Sequence, residues 1–440
     1  MYTDPVKSAV VTTKLAVQHC LEVLERNRWT PESVRHLVMH QTSERTLDGA
    51  AQEINRVLGK TAVDRRNTIY NLAERGNCAT NTHLLATWEN IQSGKIHSGD
   101  RMLYAVSGSG LVVGTAVYTF DDLPDRLREP KPPLARRAGE PRPPLRAFAL
   151  NKPVRFEAIG DPAAAADSVT MLTRAGESCL ARSARPRNDI DLVLHTGVYH
   201  TEFLSEPALA TIAAGELGIN HDDESNFARR TFAFDLLNGG AGTLTACFVA
   251  GTLMQAGRMA RSLILASEVE NNAETWPENL LGVRPTATAF VLEPAEKEGF
   301  IAFGFRSFPE HVSRRASWTC GHEYKPAAYH EIDPNLDDIY LDCIVTAAEE
   351  FLRERKLTWG DVAVVLPPWR SPAFTERLGD RLGLPQGKVE QMAEGGDLFT
   401  SSLACVFARA RGRGRPAAGE LALVVEVGAG VQVALALYRG

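Results

Sequence analysis

Two stretches near the start of the chain decide its fold. They are HQTSERTLDGAAQEINRVLG at residues 40–59 and NLAERGNCATNTHLLATWENIQSGKIHSGDRMLYAVSGSGLVVG at residues 71–114. Apolar spacing predicts helices over 6–27, 44–58 and 82–93, and short apolar runs predict strands at His36–Met39, Arg101–Val106 and Val112–Phe120. Alternating helices and strands are typical of an α/β lobe, with His40 directly after its first strand.

The same order of elements returns at the end of the chain. It consists of helices over 340–356, 372–383 and 399–410, and strands at Val362–Leu366, Leu421–Val427 and Val431–Tyr438. A glycine-rich turn again separates the last two strands, at Gly428-Ala429-Gly430. A repeat of this size is too long for a solenoid and indicates a duplicated α/β lobe.

The middle of the chain has its own alternation of helices and strands. Residues 151–295 therefore predict mostly parallel, buried sheets. Between this region and the first lobe, residues 124–146 contain seven prolines and six arginines. Proline fixes φ and removes a backbone donor, so we expect a stiff, exposed linker there.

Composition excludes several classes of function. The 440 residues carry a net charge of −6, which argues against nucleic acid as the main partner. No run of 18 uncharged apolar residues predicts a membrane span, and the N-terminus does not read as a signal peptide. Seven cysteines without a CxxC pair predict reduced thiols in the cytoplasm, and Cys320-Gly321-His322 is too sparse to predict a metal site.

The first 125 residues resemble the C-terminal half of 3-oxoacyl-[acyl-carrier-protein] synthase III, a family of the thiolase superfamily. That family carries a His-Gln-Ala-Asn motif, a Gly-Asn motif, a Gly-Asp pair and a glycine-rich turn, in this order. The matching residues are His40–Ser43, Gly76-Asn77, Gly99-Asp100 and Gly108-Ser109-Gly110, with Ser43 in place of the motif's Asn. The resemblance covers nearly all of residues 1–125.

The middle region resembles the N-terminal half of the same family. In the family, Ala-Phe-Asp leads to an Ala-Cys-Ala-Gly motif with its cysteine at a helix N-terminus, whereas here Gly240 stands at the cysteine's place. The family's first strand and loop look short or missing before Asp167. The last lobe resembles the C-terminal half again, but Pro367–Arg370 replaces the His motif and Gly396-Asp397 replaces Gly-Asn.

The resemblance implies a thiolase-like αβαβα layered fold with one C-terminal-half lobe plus one full, degenerate copy. We expect the first lobe at 1–125 and a linker at 126–150. An N-terminal-half lobe without its cysteine follows at 151–295, and a degenerate C-terminal-half lobe at 296–440.

Enzymes of this type condense acyl thioesters. A cysteine thiolate takes the acyl group, backbone N–H groups stabilise the oxyanion, and a His/Asn pair stabilises the enolate of the extender unit. The resemblance assigns the last role to His40 and Asn77 and the oxyanion turn to Gly108, Ser109 and Gly110. In the alternative reading, His40 and Asn77 are relics of a second inactive lobe.

We therefore expect an acyltransferase subunit whose nucleophilic cysteine comes from a partner chain with an N-terminal half. Its substrates would be thioesters of coenzyme A or an acyl carrier protein, with no cofactor, in fatty-acid or polyketide-type specialised metabolism such as antibiotic biosynthesis. Two alternatives stay open. The chain could be a malonyl-thioester decarboxylase that needs no cysteine, or a non-catalytic scaffold that sets chain length.

Overall fold

The computed structural model describes residues 5–108, 112–129, 145–165, 167–220, 231–392 and 395–440, with side chains from residue 13 onward. The chain divides into two compact units, Met1–Gly139 and Glu140–Gly440, which we call unit 1 and unit 2.

Unit 1 is a four-stranded sheet with helices. Its helices are α1 (Pro5–Arg26), α2 (Glu44–Leu58), α3 (Leu72–Arg75), α4 (Thr82–Gln92) and α5 (Leu123–Arg128). Its strands are β1 (His36–Met39), β2 (Thr68–Ile69), β3 (Arg101–Gly108) and β4 (Val112–Thr119), in the order β2-β1-β3-β4. Strand β1 is parallel to β2 and β3, and β4 is antiparallel to β3.

Local chemistry fixes the ends of α2. The Ser43 hydroxyl accepts a hydrogen bond from the backbone N–H of Thr46, which satisfies one of the open donors of the first turn. At the other end Gly59 takes a left-handed conformation, with φ of 65°. The helix therefore begins and ends where the sequence predicts.

Unit 2 contains the remaining elements. Its helices are α6 (Ser168–Arg182), α7 (Leu209–Glu216), α8 (Gly242–Gln255), α9 (Leu336–Glu354), α10 (Pro372–Arg381) and α11 (Ser402–Gly412). Its strands are β5 (Arg146–Ile159), β6 (Leu192–His195), β7 (Phe232–Asp235), β8 (Ser262–Glu268), β9 (Thr286–Pro294), β10 (Gly299–Ser307), β11 (Arg315–His322), β12 (Lys325–Ile332), β13 (Val362–Leu366), β14 (Leu421–Gly428) and β15 (Gln432–Arg439).

Nine of these strands form one mixed sheet, in the order β13-β14-β15-β10-β5-β9-β8-β6-β7. The expectation of mostly parallel sheets over residues 151–295 is wrong, because β9 pairs antiparallel with β5 and β8, and β5 also pairs antiparallel with β10. Strands β11 and β12 form a separate antiparallel hairpin.

Strand β5 corrects two further expectations. It begins at Arg146, inside the stretch assigned to the linker, and α5 extends to Arg128, so the linker of residues 126–150 is too long at both ends. The strand also precedes Asp167, so a first strand of the middle region is present and not missing. Pairing with β9 and β10, which lie far along the chain, gives this segment its extended conformation.

An aromatic cluster packs the middle region of the chain against its last lobe within unit 2. The Phe156 ring lies with its centroid 4.2 Å from that of Phe407, 5.0 Å from Phe290 and 5.3 Å from Phe300. These rings come from β5, α11, β9 and β10, and Phe156 is fully buried among them. Such ring pairs stabilise a core beyond their area alone.

The end of unit 2 repeats the construction of unit 1. Along the chain, the series α9-β13-α10-α11-β14-β15 corresponds element by element to the series α1-β1-α2-α4-β3-β4 in unit 1. The same turn follows the first helix of each copy and fixes the residue-by-residue alignment of the two copies. In unit 1 Trp29 N–H donates to Leu24 O, and in unit 2 Leu357 N–H donates to Leu352 O. One difference is that β15 pairs with both β14 and β10, whereas β4 pairs only with β3 among the described residues.

Candidate active site

His40 lies at the end of β1 in unit 1. Its backbone N–H donates to Ala105 O at 3.0 Å, which continues the β1–β3 ladder by one residue. Its ring Nδ1 lies 2.6 Å from Ser107 O. A backbone carbonyl only accepts hydrogen bonds, so Nδ1 carries the proton and Nε2 is the nitrogen that faces Asn77.

Asn77 lies in the loop between α3 and α4, with its Oδ1 3.3 Å from His40 Nε2. The same Oδ1 accepts a hydrogen bond from Ala79 N–H at 2.9 Å. This bond fixes which way the amide is turned, because a backbone N–H requires an acceptor. The structure thus brings the two predicted residues together, 37 positions apart in sequence.

The glycine-rich turn is described only in part. Gly108 ends β3, one residue after the carbonyl that holds His40. Ser109 and Gly110 lie outside the described residues, so the oxyanion role assigned to them stays a prediction.

In the repeat, an ion pair replaces the His/Asn pair. Asp397 takes the place of Asn77, since its Oδ1 accepts from Phe399 N–H at 2.9 Å just as Asn77 accepts from Ala79. Pro368 takes the place of His40, and Arg370 N–H donates to Pro368 O as Thr42 N–H donates to His40 O. Arg370 then binds Asp397 at 2.7 Å.

Gly240 lies directly against the glycine turn of unit 2. A Cβ built on Gly240 would meet Val427 O at 2.4 Å, closer than real Cβ atoms approach a backbone oxygen. The position where the resemblance places the lost nucleophile therefore has no room for a side chain. In unit 2 the backbone packing, and not only the absence of a cysteine, therefore opposes a nucleophile at this position.

Substituting Gly240→Cys should therefore not restore a nucleophile. We expect no acyl adduct on the variant and a loss of stability of about 1–3 kcal/mol from overpacking. Intact mass spectrometry after incubation with an acyl-CoA and a thermal melt check both points. Gly215→Cys, at an exposed helix position with open space around its Cβ, is the matched control. A Gly240→Cys protein of normal stability that carries an acyl group would contradict the packing argument.

Three native thiols of unit 2 are also poor candidates for the nucleophile. Burial raises the pKa of Cys247 in α8 well above its usual value. Burial also raises the pKa of Cys179 and Cys405 to about 12. The thiolate is the reactive form, so burial disfavours these three thiols as nucleophiles. Cys78 is half-buried, with its Sγ 3.5 Å from Arg75 O.

Sequence reasoning missed His83, which lies beside the site. Its ring centroid is 6.0 Å from that of His40, and its Nε2 lies 3.1 Å from Ala105 O, so it donates to this carbonyl. Burial lowers the pKa of His83, which favours the neutral ring. The signal that could have revealed His83 is a difference from the repeat. At the corresponding position of α11 the repeat has an apolar core residue, the buried Leu403.

Comparison with known proteins places the first unit most directly. The family model for the C-terminal domain of 3-oxoacyl-[acyl-carrier-protein] synthase III matches residues 24–120. A beta-ketoacyl-[acyl-carrier-protein] synthase III of Solibacter usitatus is 28% identical over 101 residues, which cover 23% of this chain and 28% of that protein. The enzyme of the same name from Synechocystis is 24% identical over 280 residues, which cover 60% of this chain and 81% of that protein.

Solved structures show the fold. The crystal structure of OleA from Xanthomonas campestris with bound lauric acid and lauroyl-CoA matches with a TM-score of 0.56 at 15% identity. It is covered completely and covers 66% of this chain. The chain thus has a thiolase-like fold of the ketoacyl synthase III type. No described helix is long and apolar enough to cross a membrane.

Proposed function

Taking the ketoacyl synthase III-like fold of this chain as the premise, we propose that it is a subunit of an acyltransferase that condenses acyl thioesters. The observation that carries the proposal is the His40–Asn77 pair. The two side chains lie 3.3 Å apart in unit 1, whereas the repeat in unit 2 has replaced both residues. If the site in unit 1 were also a relic, we would expect its His/Asn pair to be lost as it is in the repeat.

The geometry suits stabilisation of a thioester enolate. Ser107 O holds the Nδ1 proton of His40, so Nε2 is the nitrogen available to a ligand. In the imidazolium form, Nε2–H and the Asn77 amide would both donate to the thioester oxygen, where charge develops as the enolate forms. Donors held in place before the reaction stabilise this charge most effectively.

Exposed apolar side chains on unit 1 support the need for a partner chain. Leu84 and Trp88, one turn apart on α4, are 71% and 50% exposed. Ala404, at the position of Leu84 in the repeat, is only 2% exposed and packs in a core with residues of α8. Large apolar groups on one exposed face are typical of an interaction surface.

The edge of the unit 1 sheet supplies a second argument, because β4 has no neighbour on its outer side among the described residues. Val113 and Val117 of β4 are half-buried, whereas their counterparts Val433 and Leu437 in β15 are fully buried, where β10 pairs alongside. An open edge strand is a template for pairing with another chain. In the repeat, β10 pairs with the corresponding edge and α8 residues pack with Ala404, which supports a partner that has a segment like residues 146–307 of unit 2.

We therefore infer that the partner is a polypeptide with a thiolase-like N-terminal half that carries the nucleophilic cysteine. Acyl-CoA or an acyl carrier protein would deliver the substrates, in fatty-acid or polyketide-type specialised metabolism such as antibiotic biosynthesis. The seven free cysteines suit a reducing compartment, so we propose a cytoplasmic location.

One observation favours a second candidate. The nucleophile position of unit 2 is closed at Gly240, while the His/Asn pair is intact. Decarboxylation of a malonyl thioester needs enolate stabilisation but no acyl-enzyme, so this chain could perform it without any partner.

The test is to tag this chain, purify it from its native host with whatever binds it, and compare it with the chain made alone. We expect the complex to condense an acyl-CoA with malonyl-CoA and the chain alone to be inactive. Release of CO2 from malonyl-CoA by the chain alone would favour the decarboxylase instead. Full condensing activity of the chain alone would contradict the partner proposal.

A further inference from the structure

Unit 1 contains an apolar cavity of about 280 Å³ between α1, α2 and the sheet. His40, Thr42, Thr46 and Ser107 line one end of it, and the two threonines are exposed there. Leu24 and Leu58, at the far ends of α1 and α2, belong to the same lining. The cavity thus runs along the helices and opens beside the candidate active site.

The repeat fills the same space with larger side chains on its first helix. The shared turn after each helix aligns Leu24 with Leu352, and the helices then pair residue by residue. Thr13 corresponds to Leu341 and Ala16 to Ile344, and both residues of the repeat are fully buried. Unit 1 has the smaller residue at each of these positions of α1.

The second helix shows the same change. Ser43 and Ser371 cap α2 and α10 in the same way, so Thr46 corresponds to Phe374 and Ala50 to Leu378. Phe374 and Leu378 are 1% and 0% exposed and pack in the core of unit 2. Four residues of the lining, on two helices around one volume, are smaller than their counterparts in the repeat, and only Cys20 and Leu47 on these helices offset this by being larger than the buried Ala348 and Thr375.

The interior of the cavity is suited to an apolar ligand and not to water. Asn67, a polar residue of the lining, uses both ends of its amide on the loop backbone at Asp64 and Ala62. The Cys20 thiol contacts Thr115 Oγ1 at 3.3 Å. Water is stable in a cavity only where several polar groups await partners. Apolar cavities exclude water and bind apolar ligands instead.

We propose that this cavity binds the alkyl chain of an acyl ligand, with the polar head of the ligand at His40 and Asn77. The helical rise places Thr46 and Leu58 about 18 Å apart along α2, which suits an extended chain of medium length. This inference rests on the proposed function for the identity of the head group. The alkyl chain itself is recognised by the apolar lining alone.

The test measures binding of decanoic acid to the full chain by isothermal titration calorimetry. The double variant Thr46→Phe/Ala50→Leu copies the residues of the repeat and should fill the cavity. We expect saturable binding to the natural protein, an at least tenfold weaker affinity for the filled variant, and a higher melting temperature of that variant without ligand. Gln52→Leu, which adds an apolar side chain on the exposed side of α2, should bind like the natural protein.

Two results would overturn the inference: no binding of decanoic acid by the natural protein, or equal binding by the filled variant. If the double variant does not fold, Ala16→Ile fills the cavity from α1 and gives the same comparison. The measurement uses no thioester and no turnover. A failure of the condensing activity therefore leaves the cavity result standing, and a failure to bind decanoic acid leaves the His40–Asn77 chemistry standing.

Discussion

Replacing His40 with alanine should lower the turnover of the acyl-transferring complex by a factor of about 10²–10³, the usual contribution of one donor that stabilises a developing oxyanion. The loss follows from the geometry, because the ring is fixed by Ser107 O on one side and faces Asn77 on the other. Removing it leaves the developing enolate charge with the amide donor alone. Steady-state kinetics with an acyl-CoA and malonyl-CoA measure the effect.

The control is His97→Ala, whose imidazole is 63% exposed on the same unit. We expect this variant to keep full turnover. The comparison then shows that the loss in His40→Ala comes from the site and not from the removal of any histidine. If His40→Ala turned over at the natural rate, the chain would be a scaffold and the His/Asn pair a relic.

Replacing Phe156 with alanine should lower the free energy of unfolding of unit 2 by about 3–5 kcal/mol. The ring is fully buried and lies against Phe290, Phe300 and Phe407, so its loss leaves a cavity that four elements line. Strands β5 and β9 belong to the middle region of the chain, and β10 and α11 belong to its last lobe. We therefore expect these two parts of unit 2 to unfold together. Urea denaturation followed by circular dichroism measures the shift.

Phe232→Ala is the matched control, since this ring is 46% exposed. Its substitution should change the unfolding free energy by about 0.5 kcal/mol or less. If the two variants lost similar stability, the ring cluster would not be the structural centre of unit 2.

Elements with local signals could be predicted from sequence. Helix α2 and strand β13 have the predicted bounds, 44–58 and 362–366. A serine cap and a glycine at φ of 65° end α2, and a run of buried apolar residues marks β13. Both kinds of signal lie within a few residues of the element that they define.

Elements that depend on distant pairing could not be predicted. Strand β5 contains Lys152-Pro153 and follows a proline-rich stretch, so its sequence suggests a continued linker. It is extended because β9 and β10, more than 100 residues away, bind it on both sides. The hairpin of β11 and β12 was missed as well, since its exposed polar and aromatic residues carry no core pattern.

The candidate site divides in the same way. His40 and Asn77 were predictable because each lies in a short motif of a known family. His83 was not, because its role depends on a 6.0 Å approach across the fold. The cavity between α1 and α2 likewise appears only when Thr46 and Ala50 are compared with Phe374 and Leu378 in the folded repeat.

The most direct test of the central claim is to find where the acyl group goes. The complex is purified through a tag on this chain, incubated with an acyl-CoA, and analysed by intact mass spectrometry. The account predicts an acyl adduct on a cysteine of the partner chain and none on this chain. An adduct on this chain, or its condensing activity without any partner, would contradict the claim that its nucleophile comes from a second polypeptide.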